Sequence, residues 1–154
     1  MKFMSKIATA LVLATTAFTG QTANAASQNE CAIWICLPGG FPSGCGAAYS
    51  AMISRIKHKK SPLPDFGSCA VNPPKGSGSH MSYKHGYAAH VPAHQECTEN
   101  WWGQQTCTNV PEKYIEGTMC NNYDGYTDPA YCSKTVQWIK VYTDGNLAGN
   151  PYYW

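Results

Sequence analysis

Charged side chains are scarce in this chain: Lys, Arg, Asp and Glu make up 13% of its 154 residues, against 12% aromatic residues. A disordered segment needs the opposite balance, so the chain reads as folded. Also missing is any second apolar stretch approaching the roughly 20 residues that span a bilayer as a helix. No C-x-x-C occurs, which excludes a thioredoxin-like redox motif. Zinc sites use cysteine pairs about two to four residues apart, and of the cysteines here only Cys31 and Cys36 come near that spacing. The length leaves room for one compact domain, with or without a subdomain, and excludes paired dinucleotide-binding halves or a barrel of alternating strands and helices.

What is present is sulfur. All 8 cysteines follow residue 30, an even count that reads as a disulfide framework once an exporting leader precedes it. Met1–Lys6 carries two lysines, Ile7–Phe18 is apolar or small, and Ala23-Asn24-Ala25 is an A-x-A cleavage site. That is the pattern of a cleavable signal peptide over residues 1–25, of bacterial style, and it predicts a periplasmic protein beginning at Ala26. Loss of Lys2 and Lys6 would bring 11 Lys and Arg to parity with 9 Asp and Glu. A neutral mature chain with no membrane span is expected neither to bind nucleic acid through global charge nor to cross a bilayer.

The cysteines fall into two groups, Cys31, Cys36, Cys45 and Cys69, then Cys97, Cys107, Cys120 and Cys132. The stretch Asn72–Ser79 between them is rich in Pro, Gly and Ser. This divides the mature chain into a helical module at 26–71, a loop or hinge at 72–95 and a β-rich module at 96–154, an α+β fold stapled by disulfides and opening on a helical hairpin. Ser27-Gln28-Asn29-Glu30 fits a capping box before the apolar run Cys31–Leu37, which reads as a helix buried on every side and stopped at Pro38-Gly39-Gly40. Cys45, Ala48, Tyr49, Met52, Ile53 and Ile56 form one stripe of a second helix, with Arg55–Lys60 at its C-terminal end. Thr135–Tyr142 alternates as a strand, followed by a turn at Asp144-Gly145. Trp101-Trp102-Gly103, between Cys97 and Cys107, suits a hairpin, and Asn121-Asn122 and Asp124-Gly125 mark further turns. Eight cysteines allow roughly a hundred pairings; a working assignment that keeps each group to itself joins Cys31 to Cys69, Cys36 to Cys45, Cys97 to Cys107 and Cys120 to Cys132.

From Cys31-Ala32-Ile33-Trp34-Ile35-Cys36-Leu37-Pro38-Gly39-Gly40 through Cys45, the basic-ended helix and Cys69, the chain resembles the TrbM/KikA family of plasmid conjugal transfer proteins. The likeness covers residues 30–71. It implies a periplasmic accessory of a conjugative type IV secretion system, acting in pilus or mating-pair assembly by binding components of that apparatus. It carries over no catalytic residue, cofactor or metal ligand, and nothing in the residues specifies self-association.

His80, His85, His90 and His94 recur at intervals of five, five and four, a spacing of no known metal site, and read as solvated loop histidines. A cell-wall glycosidase is the alternative function; it would need one protonated and one ionised carboxyl group, with Glu96 or Glu99 beside Trp101 and Trp102, or Glu112 with Glu116, as the available pairs. Ser54-Arg55-Ile56-Lys57 matches S-x-x-K but lacks the partner motifs of penicillin-binding enzymes. The remaining hint is aromatic: Trp101, Trp102, Tyr152, Tyr153 and Trp154 are the candidate protein-contact residues, because rigid aromatic area dominates contact surfaces, while the aromatic residues suit equally the core of a chain with few leucines.

Overall fold

A computed structural model describes residues 26–69 and 80–154. The expected leader and the Asn72–Ser79 stretch lie outside the described residues. Among the described residues two α-helices, α1 (Gln28–Cys36) and α2 (Gly46–Lys57), precede nine strands: β1 (Met81–Val91), β2 (His94–Glu99), β3 (Gln105–Val110), β4 (Lys113–Glu116), β5 (Asn121–Tyr123), β6 (Tyr126–Asp128), β7 (Lys134–Thr143), β8 (Asn146–Leu147) and β9 (Tyr152–Tyr153). The fold is α+β.

Local signals place the helices. Ser27 Oγ accepts the Glu30 backbone N–H at 3.3 Å while the Glu30 carboxylate accepts the Ser27 N–H at 2.9 Å, the reciprocal capping box that the spacing predicts. Glu30 also receives the Arg55 guanidinium at 2.6 Å, tying the start of α1 to the end of α2. Arg55 donates further to the carbonyls of Ser61 and Leu63, so one member of the basic cluster is a brace for the chain leaving α2. Lys57, Lys59 and Lys60 remain exposed. Burial on every side of α1 is not what the structure has: Ile33 and Trp34 are buried, yet Ile35 is 82% exposed. A lone helix packed between α2 and a sheet has only part of its circumference to hide, and Ile35 falls on the remainder.

The main sheet is antiparallel, in the order β4-β1-β7-β8, with β9 also paired to β7. Its centre is β1 against β7, in a register that sets Tyr83 opposite Val141 and Gly86 opposite Trp138. One face, with Met81, Tyr83, Ile139 and Val141, packs on the helices and on Leu37, Met52 and Leu63 to form the principal core. Each fully buried side chain of this size contributes about 1.5–3 kcal/mol relative to exposure. The sheet twists enough for edge strands β4 and β9 to meet, where Tyr114 and Tyr153 stack with centroids 3.8 Å apart. Glu116 seals the same junction, accepting from Lys140 Nζ at 2.7 Å and the Tyr153 hydroxyl at 3.1 Å.

Two expectations change here. The loop expected over residues 72–95 gives way at Met81 to the longest strand among the described residues, because β4 and β7 each satisfy one edge of its backbone. The helical and β-rich parts also share the principal core, through Ile139 and Val141, while a second cluster of Ala89, Val91 and Cys132 lies within the β-rich part alone. The four disulfides, by contrast, are those of the working assignment: Cys31–Cys69, Cys36–Cys45, Cys97–Cys107 and Cys120–Cys132, with no free cysteine among the described residues. Four disulfides indicate an oxidising compartment.

Candidate functional site

Strands β2 and β3 pair only with each other and stand off the main sheet as an arm. Nearly every side chain along them is exposed, so the arm has no core of its own. A two-stranded hairpin in water is marginal without reinforcement. Here it comes from the Cys97–Cys107 disulfide, which joins residues directly opposite each other, and from the Gln95–Asn109 side-chain hydrogen bond at 2.9 Å.

The end of the arm is held equally firmly. Asn100 Oδ1 accepts the backbone N–H of Trp102 at 3.1 Å and of Gln104 at 2.8 Å, while Gly103, at φ +77°, supplies the left-handed turn residue. Trp101 and Trp102 sit on this turn, 83% and 73% exposed, with ring centroids 3.7 Å apart. Two neighbouring indoles exposed on a braced turn form a contiguous apolar patch. Over residues 94–110 the charged side chains are Glu96 and Glu99, with no Lys or Arg. The sequence pattern identified the indoles; it missed Asn100, whose signal is an Asn heading a turn that ends in Gly and Gln.

The other candidate contact residues serve the fold itself. Tyr152 packs edge-on against Phe41, Tyr153 stacks on Tyr114, and Trp154 exchanges two backbone hydrogen bonds with Gln137. All three are only partly exposed, since the tail runs beside β7 and fills the edge of the core. Burial and the Glu116 carboxylate together push the Tyr153 phenol up to about 12.

The histidines are dispersed. His80 precedes β1, and His85 and His90 are an odd number of residues apart on it and so face opposite sides. His94 opens β2, stacked on Tyr131 and 3.2 Å from Glu96. Among the described residues no three His, Cys, Asp or Glu side chains converge as metal ligands would. Three of the carboxyl groups named for glycoside cleavage are paired: Glu96 with His94, Glu116 with Lys140, and Glu112, which hydrogen bonds from His90 and Tyr114 hold below the usual carboxylate range. A general acid requires a shift in the other direction.

No protein family, curated protein or solved structure matches this chain.

Proposed function

We propose that this is an exported, periplasmic binding protein that works by docking the Trp101–Trp102 arm into an apolar recess of a protein partner. The observation that carries this reading is the pair of exposed indoles on a turn braced by a disulfide and two Asn100 hydrogen bonds. A partner captures that area at little entropic cost because the arm is already ordered. The carboxylates of Glu96 and Glu99 favour a recess with a neutral or basic rim over an anionic lipid surface. The A-x-A leader pattern and the four disulfides support export, and no helix among the described residues is long and apolar enough to cross a membrane.

The resemblance of residues 30–71 to TrbM/KikA proteins supplies the setting: assembly of the mating-pair or pilus apparatus of conjugative type IV secretion. Cross-linking in donor-cell periplasm through a photoreactive residue at the exposed Gln105 of the arm is expected to capture one envelope protein, and adding Trp101→Ala/Trp102→Ala to that chain to abolish both the capture and plasmid transfer while leaving melting unchanged. Transfer at the normal frequency from cells lacking the protein would remove the conjugative setting. Capture unaffected by the double substitution would remove the arm as the docking element.

A further inference from the structure

The opposite side of the main sheet holds a second constellation, assembled from three distant parts of the chain. His90 lies near the end of β1, Glu112 on the link between β3 and β4, and Ser133 immediately before β7. His90 Nε2 is 2.6 Å from Glu112 Oε1, and His90 Nδ1 is 2.8 Å from Ser133 Oγ. An ionised carboxylate accepts only, so Nε2 carries the hydrogen and Nδ1 presents its lone pair to the serine hydroxyl. The hydroxyl has a second acceptor, the His90 carbonyl, at the longer distance of 3.3 Å.

Each member is held by something else. Tyr114 stacks on the imidazole with centroids 5.0 Å apart and donates its hydroxyl to Glu112 at 3.1 Å. The Ser133 N–H donates to the His90 carbonyl at 2.9 Å, and the preceding residue, Cys132, is buried and bonded to Cys120. The imidazole side chain is 15% exposed, whereas Ser133 lies at the surface. Lys134, directly opposite His90 in the register, sets a cation on the same face. A hydroxyl hydrogen-bonded to an imidazole whose other nitrogen is oriented by a carboxylate is the arrangement that activates a serine nucleophile.

We propose that Ser133, His90 and Glu112 form an acyl-transfer site acting on esters of short carboxylic acids. Ser133 Oγ attacks the ester carbonyl carbon as its proton passes to His90 Nδ1. The imidazolium, stabilised by Glu112, returns that proton to the departing alkoxide as the C–O bond breaks. Water then attacks the acyl-serine, its proton passing through Nδ1 to Ser133 Oγ, and the free acid leaves. Ser133 lies on the open surface, which suits an acetyl-sized group that needs no enclosing pocket. Glu112 acts through His90 and is a positioning residue.

The deciding experiment treats the full oxidised chain with a fluorophosphonate, which forms an Oγ–P bond and expels fluoride, and reads intact mass and peptide maps. A single adduct on Ser133 is expected, together with measurable hydrolysis of p-nitrophenyl acetate. Ser133→Ala, a small change at an exposed position, should abolish the adduct. His90→Gln should slow labelling by about a hundredfold or more, the lower end of what a positioned general base contributes. Glu112→Gln should slow labelling by about tenfold and Glu112→Asp restore most of it, with both variants melting as the parent does. No adduct at saturating probe, equal labelling of Ser133→Ala, or labelling of Glu112→Gln at the parental rate would each overturn the proposal.

Discussion

Tyr153 shows how one side chain couples the closure of the sheet to pH. Its phenol, ordinarily ionising at 10.0, is raised to about 12, first by burial at the junction of β4 and β9 and then by the Glu116 carboxylate that accepts its hydrogen bond. Between those values the unfolded chain releases a proton that the folded chain retains, so stability must fall as pH rises through this window. Tyr114 and Tyr152 are raised as well, chiefly by burial, and add to the same slope. Thermal melts of Tyr153→Phe from about pH 9 to about pH 12 are therefore expected to decline less steeply than those of the parent. Glu30 has the opposite sign: hydrogen bonds from the Ser27 backbone and from Arg55 hold it below the usual range, so its contribution is present at neutral pH and lost in acid. Its partner Ser27 was legible from four consecutive residues. Arg55 was legible only as a helix-end cation, because its hydrogen bonds to the Ser61 and Leu63 carbonyls and to Glu30 depend on where the chain goes next.

Among the elements, β1 is the least legible in the sequence and matters most to the sheet. Met81, Tyr83, Tyr87, Ala89 and Val91 do alternate onto one face, but Lys84, Gly86 and three histidines in or beside the run dilute the signal. At Gly86 the indole of Trp138 lies against the β1 backbone. A Cβ added there would sit 3.1 Å from Trp138 Cζ2, and the indole is held by its 2.9 Å hydrogen bond to the Tyr87 carbonyl. The ring has little freedom to retreat, so Gly86→Ala is expected to cost roughly 1–3 kcal/mol, read as a lower urea midpoint with an unchanged slope. The arm formed by β2 and β3 behaves differently. Its strands, turn and disulfide follow from residues within one short segment, and the spacing of Cys97 and Cys107 around Trp101-Trp102-Gly103 was sufficient to expect it.

For the molecule as a whole, the disulfides distribute constraint unevenly. Cys31–Cys69 closes a separation of 38 residues, whereas the other three close 9, 10 and 12. Loop-closure entropy then assigns about 4 kcal/mol to the long bridge and about 3 kcal/mol to each short one. Cys31→Ser/Cys69→Ser is accordingly expected to lower unfolding free energy, measured in urea, by more than Cys97→Ser/Cys107→Ser does. Gly149 adds a close approach at the far end of the chain: its φ is +74°, and a Cβ there would run into the Pro38 backbone, so the tail and the end of α1 meet with no space for a side chain.

Features that satisfy themselves within a few residues were open to reading along the chain. The capping box, the stripe of α2, the turns at Asp124-Gly125 and Asp144-Gly145, and the three short disulfides all close over short separations. The centrality of β1, the exposure of Ile35, the fate of Tyr152, Tyr153 and Trp154, and the meeting of Ser133, His90 and Glu112 did not share that property. Each depends on hydrogen-bonding groups or apolar surface supplied from outside its own local segment, as the separations of 22 and 43 within the His90 constellation illustrate. A tail rich in aromatics reads the same whether it packs inward or faces a partner; the free edge of β7 and the ring of Phe41 settle it inward, because backbone pairing and ring contacts outweigh leaving that surface in water.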